Sequence, residues 1–391
     1  MNTQQKKVGE RFDWNLCLIL FLFLLVSITA ISSAQTSDND PTNYALRQAV
    51  YYGIGALIVG IAMYFDTEQY RKLSWFLYGI GIFLLAFILV APERIVADPD
   101  IRSWYYFPGF GSLQPSEFMK TFLIIMISRT IVEHNDRFFQ KTIKTDFWLL
   151  AKISILTIIP LGLVMLQPDL GTSLVFIAIF SGLVLVSGIT WKIIVPVFGT
   201  IALIGTAALL LVIYNPEFLE EKFGLVKYQF DRIYTWLDPY NNPQDEGYNL
   251  IQTLTAIGSG EITGKGYNEK VVFVPEQHTD FIFSVIGEEY GFIGASFVIS
   301  LFFLLIYHLI KVALETKDPF SSYVCTGIIC MITFHVFENI GMQIQLLPIT
   351  GIPLPFISYG GSSLMGTMLA MGIIFSIRYH HRTYMFASDE K

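Results

Sequence analysis

The chain has 391 residues, of which 53% are hydrophobic and only 15% charged. Water-soluble domains carry about 25% charged residues, so this balance, with a mean hydropathy of +0.54, excludes a soluble enzyme and points to a lipid-embedded bundle. The formal net charge of −7 excludes little, because in a membrane protein the place of each charge matters more than the sum.

A run of about 20 apolar residues spans the hydrocarbon as a helix, and hydropathy predicts about ten such runs. They are Trp14–Ser33, Tyr44–Tyr64, Leu73–Val90, Ser116–Val132, Phe147–Leu166, Leu170–Gly188, Ile193–Tyr214, Asp280–Ile310, Ser321–Ile344 and Pro355–Ile377. The first follows MNTQQKKVGERFDWN and is too long for a signal-peptide core, so it reads as an uncleaved first helix. The predicted class is an all-α polytopic membrane protein, a single domain over 1–391. Spans one to seven fill 14–214, a large loop fills 215–279, and spans eight to ten fill 280–378.

An even number of spans puts both termini on one side. One set of loops carries Lys6, Lys7, Arg11, Arg71, Lys72, Arg129, Arg137, Lys141, Lys144, Lys192, Lys311, Lys317, Arg378, Arg382 and Lys391. The short loops of the other set carry only Arg47, Arg94 and Arg102. Basic residues concentrate in cytoplasmic loops, so both termini are expected in the cytoplasm and 215–279 outside. That loop is rich in turn signals such as DPYNNPQDEG. Its stretch Asn249–Gly258 has helical apolar spacing, which predicts a short amphipathic helix lying on the membrane surface. Cys17, Cys325 and Cys330 fall in apolar runs with neither metal-ligand nor disulfide spacing and read as small buried hydrophobes.

Charge at membrane depth is costly and therefore a guide to function. In QPSEFMK (114–120), Glu117 and Lys120 share one face of a helix opened by Pro115. The pair fits a structural ion pair and equally a polar cavity wall in which Lys120 meets a phosphate. In QPDLGTS (167–173), Asp169 is placed to cap the following helix. In VPEQHTDF (274–281), Thr279 is a candidate N-cap, and Asp280 either serves the helix dipole or, beside His278, takes a proton from a hydroxyl. Glu288 and Glu289, deeper in the same run, are expected to face other helices. In LLPITGIPLPFISYGGSS (346–363), Pro348, Pro353 and Pro355 break helical hydrogen bonding. Such backbone belongs where it is buried in protein or lines a cavity, so the segment is either re-entrant and ligand-contacting or merely kinked and packed. The glycine pairs around Gly258 and Gly264 lack the strand and helix of a nucleotide fingerprint. His380 and His381 read as a solvated tail.

Taken with IGSGEITGKGYN (257–268) and the continuation VIGEEYGFIG (285–294), these motifs resemble the SEDS family (shape, elongation, division and sporulation) of RodA- and FtsW-type glycosyltransferases. The likeness runs nearly end to end, and PITGIPLPFISYGG (348–361) is closer to the RodA branch. Two departures stand out. Ser103 precedes Trp104 where the family often has a second basic residue, and Gln345 occupies a frequent glycine site. The resemblance implies a peptidoglycan glycosyltransferase for cell elongation and rod shape. It would polymerise lipid II, a disaccharide-pentapeptide on undecaprenyl pyrophosphate, with inversion at the outer face of the membrane. The family's essential acidic residue matches Asp280, the expected base. The expected substrate contacts are Arg102, Trp104, Glu117, Lys120, Arg232, Lys265, His278 and Ser358, the cations facing the leaving pyrophosphate. No metal ligands are assigned, although a divalent cation, Mg or Mn, is admissible beside the pyrophosphate. A class B penicillin-binding transpeptidase is the implied partner. The rivals are a lipid II flippase, which broken helices with buried charge would also suit, and a non-catalytic scaffold for a transpeptidase.

Overall fold

The computed structural model describes residues 12–35, 43–97, 101–107, 111–214, 231–241 and 246–387. The elements are α1 (Trp14–Ala34), α2 (Tyr44–Tyr64), α3 (Thr67–Val90), the hairpin β1 (Tyr105–Phe107) and β2 (Gly111–Leu113), α4 (Pro115–Arg137), α5 (Ile143–Met165), α6 (Leu170–Val186) and α7 (Trp191–Tyr214). There follow α8 (Asp231–Leu237), α9 (Glu246–Ser259), α10 (Ile282–Glu315), α11 (Pro319–Gln343) and α12 (Gly361–Ala387).

Among the described residues eight helices are long and apolar enough to cross a membrane. The other two expected spans are α4, which carries Glu117, Lys120 and a charged last turn, and α6, which is short at 17 residues. Of the two, α4 lies inside the bundle, where it packs on α3, α5, α6, α11 and α12. Its Met119, Leu123, Ile124 and Ile127 are fully buried. Protein rather than lipid surrounds it, and this is how charges survive on its faces. Small residues bring helices close, as in membrane bundles generally: Gly55 and Gly372 admit α12 onto α2, and Gly327 admits Ile124 of α4 onto α11.

Caps punctuate the chain. Asp13 accepts from Leu16 N, Asn43 from Leu46 N, and Asp66 with Gln69 forms a capping box. Asp169 caps α6 as expected, accepting from Thr172 N at 2.9 Å.

Three expectations need correction. The last helix starts at Gly361, not Pro355, because 350–360 is non-helical backbone. Thr279 caps nothing: its hydroxyl turns back to Glu276 O at 3.1 Å, and the N-cap position of α10 is Phe281, without a side-chain bond. The predicted amphipathic helix exists as α9, but its apolar face meets protein. Its Leu250 and Ala256 pack with Val274, Phe281, Met342 and Ile349, so protein covers its apolar face.

The glycine-rich stretch 257–268 has a structural role. At Gly291 (φ 60°, ψ −155°) α10 breaks, and the freed amides of Phe292 and Ile293 donate to the carbonyls of Glu261 and Ile262 at 2.9 and 3.1 Å. In return, Lys265 N and Gly266 N donate to the carbonyls of Glu288 and Glu289. A broken helix in the bundle is tolerable when its backbone groups are satisfied in this way. The fit needs glycine: Gly264 has φ +80°, and a Cβ there would lie 2.1 Å from Glu289 O. Gly264→Ala is therefore expected to lower the melting temperature and the folded yield sharply, whereas Gly199→Ala, with open space around it, leaves both near wild type. Equal melting curves for the two would refute the interlock.

Candidate active site

At the end of the bundle where α4 and α6 begin lies a cavity of about 440 Å³. Its walls come from the start of α4 (Gln114, Glu117), the start of α6 (Asp169, Thr172), Arg232 of α8, Thr279 and Asp280 before α10, His335 of α11, and 350–353 and 359–363. Trp104 and Ser103 close one side.

Asp280 is the half-buried carboxylate at its centre. Among the described residues neither carboxylate oxygen has a hydrogen-bond partner, whereas the backbone carbonyl is gripped. Asn339 Nδ2 donates to it at 2.7 Å and Gln343 Nε2 at 3.1 Å. Asn339 also donates to Ile352 O at 2.7 Å, so α11 holds Asp280 and the broken segment in one frame. Opposite, Gly351 (φ +70°) approaches the Asp280 carboxylate, and a Cβ there would touch Oδ2 at 3.4 Å. Burial, with the negative charges of Glu276 and Asp169 nearby, pushes the Asp280 carboxyl up to about 7. A carboxylate so tuned matches the demands of a general base at neutral pH.

The wall beside it is cross-tied. Gln114 Nε2 donates to Asp169 Oδ2 at 2.8 Å, and Gln114 N donates to Ser362 Oγ at 2.9 Å. Lys120 Nζ meets Glu117 Oε2 at 2.7 Å and His335 Nε2 at 3.0 Å, all three residues at most 5% exposed. An ammonium can only donate, so the His335 ring accepts through Nε2 and is neutral. Glu117 and His335 line the cavity, while Lys120 stands behind them.

The structure thus gathers Asp280, Glu117, Trp104 and Arg232 of the expected site and leaves five residues outside the lining. Lys120 is committed to its buried pair. Lys265 Nζ bonds Glu288 at 2.6 Å, far along α10 from Asp280. Arg102 donates to Leu89 O at 2.9 Å, a carbonyl in the last turn of α3. The His278 ring stacks on Tyr44 at 4.5 Å between centroids. Ser358 Oγ accepts from Leu354 N at 2.8 Å and pins the turn before α12. Glu288 and Glu289 face protein as expected: they accept the amides of Val271, Val272 and Asn268.

The broken segment both packs and lines the cavity. Tyr52 OH, Ser27 Oγ and Gln48 Nε2 donate to the carbonyls of Phe356, Ile357 and Ser358 at 2.6–3.1 Å, which leaves 350–353 to face the cavity. Gln345 has φ +60°, the region glycine favours. Its Nε2 donates to Trp236 O and its carbonyl accepts from Trp236 Nε1, each at 3.0 Å, which fastens α8 and with it Arg232.

His335, Asn339 and Gln343 were not singled out from sequence. The signal was present: with Glu338 they form a polar stripe at helical spacing in an otherwise apolar helix.

The FtsW, RodA and SpoVE family model, described as a cell cycle protein, matches residues 11–383. The chain belongs to this family. It is 33% identical to stage V sporulation protein E of Bacillus subtilis over 94% of this chain and 98% of that one. It is 35% identical to the probable peptidoglycan glycosyltransferase FtsW of Nitrosomonas europaea, over 90% and 87%. Among solved structures it matches a chain described under the structural coordination of polymerization and crosslinking by a peptidoglycan synthase complex. That match has TM-score 0.78 and 28% identity, covering 95% of this chain and 98% of that one. Thermus thermophilus RodA matches with TM-score 0.67 and 25% identity over 95% and 97%.

Proposed function

We propose that Asp280 is the general base of this chain's glycosyl transfer and that lipid II is both donor and acceptor. The chain is a peptidoglycan glycosyltransferase, the activity by which its FtsW relatives are named, and a multi-pass membrane protein. The observation that carries the finer reading is the Asp280 carboxylate, held by its backbone, without a partner at its oxygens among the described residues, and raised to about 7. Asp280 takes the proton of the acceptor sugar hydroxyl as that oxygen attacks the donor's anomeric carbon. The lipid pyrophosphate leaves from the opposite face, which inverts the carbon. Negative charge grows on the leaving group, and Arg232 and the start of α12 at Gly361–Ser363 are the positive features placed to meet it. Among the described residues no cluster of three or more His, Cys, Asp or Glu could hold a metal, so Mg or Mn enters this reading only as a companion of the pyrophosphate.

Purified protein given lipid II in detergent should yield glycan polymer, and none with Asp280→Asn. Lipid II movement in vesicles without polymer would favour a flippase instead. The uneven Lys and Arg distribution supports cytoplasmic termini and an outward-facing cavity. A cysteine at Val271, an exposed position, should label in intact cells, and labelling only after permeabilisation reverses the topology. A class B transpeptidase is the proposed partner, because one relative in structure belongs to a synthase complex; crosslinked co-purification tests it, and consistent failure to recover a transpeptidase counts against it. The elongation role rests on the wording of 348–361, and rounding of cells on depletion, as against filamentation, is its check.

A further inference from the structure

Where α4 ends and α3 and α5 begin, at the end of the bundle opposite Asp280, a second cavity of about 320 Å³ opens. Trp75, Glu133, His134, Arg137, Lys152 and Ile155 stand in its lining. Its acid is already used, because Glu133 Oε1 bonds Arg129 Nε at 2.6 Å. Its cations are not: among the described residues neither Arg137 nor Lys152 has a carboxylate within ion-pair distance.

Lys152 lies nine residues into α5, about 14 Å from its start at 1.5 Å per residue. A cation at that depth is costly without an anion, and its ammonium lies over the Trp148 ring, 5.4 Å from the centroid. His134, 3% exposed, closes the protein side of the cavity.

The mouth decides what the ligand is. Trp75 is 56% and Ile155 58% exposed, and Ile158 and Ile159 continue the open apolar surface along α5. On a helix that crosses the bilayer, exposure of this kind is exposure to acyl chains. We propose that this cavity holds the phosphate headgroup of an anionic phospholipid from the adjoining leaflet. Arg137 and Lys152 neutralise the phosphate, and one acyl chain runs along Ile155 and Ile159. Basic recesses between helices suit such headgroups. The inference is independent of the polymerase reading.

Native mass spectrometry of the full-length protein in detergent is the test, with phosphatidylglycerol, phosphatidylcholine and inorganic phosphate as separate probes. The wild type should retain phosphatidylglycerol in preference to phosphatidylcholine. Each basic residue near the surface is worth about fivefold in affinity, so Arg137→Gln with Lys152→Met should weaken retention on the order of twentyfold. The wild-type comparison needs no variant to fold. Equal retention of the two lipids overturns the proposal, as does undiminished retention by the double variant. If inorganic phosphate alone matches the lipid in raising the melting temperature, the site binds a free anion and the lipid assignment falls.

Discussion

Asp280→Asn is expected to abolish polymerisation while leaving the protein folded, inserted and able to bind lipid II. Loss of a general base costs about 10²–10⁴-fold in rate. A capping role would instead cost about 0.5–2 kcal/mol of stability, but Asp280 caps nothing here, since α10 starts from Phe281 without a side-chain bond. Stability should move the other way. The folded protein keeps the Asp280 proton up to about pH 7, whereas the unfolded chain releases it near 3.8. Between those values the native state binds more protons, so wild-type stability falls as pH rises through the window and stays lowered above it. The amide removes that loss. At pH 8 the variant should melt no lower than wild type and should make no polymer, and a lower melting temperature would contradict the site as drawn. Wild-type turnover should climb with pH and level off above about 7 as the base ionises. Near wild-type polymerisation by the Asn variant would move the base to Glu276 or Glu117.

The order of the spans and the position of Asp280 were legible because both rest on local rules. Apolar length gives a helix, and an acid at the end of an apolar run is conspicuous. The surroundings of the cations were not legible, for the opposite reason. Arg102 and Lys265 are identifiable as charges on the outer side, yet their partners, Leu89 O and Glu288, are defined only once distant segments meet. Sequence counts cations but does not say what each one bonds. The glycines of 257–268 were unreadable in a similar way, because their need arises from the break at Gly291 and not from their own neighbours. The stripe of His335, Asn339 and Gln343 is different: its spacing of four along the last turns of α11 is visible in the sequence. Likewise α4 shows low hydropathy because it is internal, and its charged face marked it for the core of the bundle rather than for lipid.

The buried triad of Glu117, Lys120 and His335 makes the second large prediction. Lys120→Ala strands the Glu117 carboxylate against a neutral ring at 4% exposure, and breaking such a pair costs about 3–5 kcal/mol. The variant should be recovered in low yield with a clearly lower melting temperature. The double change Glu117→Gln with Lys120→Met removes both charges in similar volumes, and replacing a buried pair in this way is often neutral or stabilising. Its stability should return to near wild type. Activity then separates scaffold from site. Glu117 lines the cavity and Lys120 does not, so the stable double variant should still polymerise lipid II on the order of 10–100-fold more slowly. That is the loss expected when a charged hydrogen-bonding group facing the substrate is made neutral, about 1.5–3 kcal/mol. Full activity in a stable double variant would make the pair a strut and nothing more. Continued instability would mean that Gln and Met do not pack beside His335, and the volumes rather than the charges would then be what α4 and α11 require.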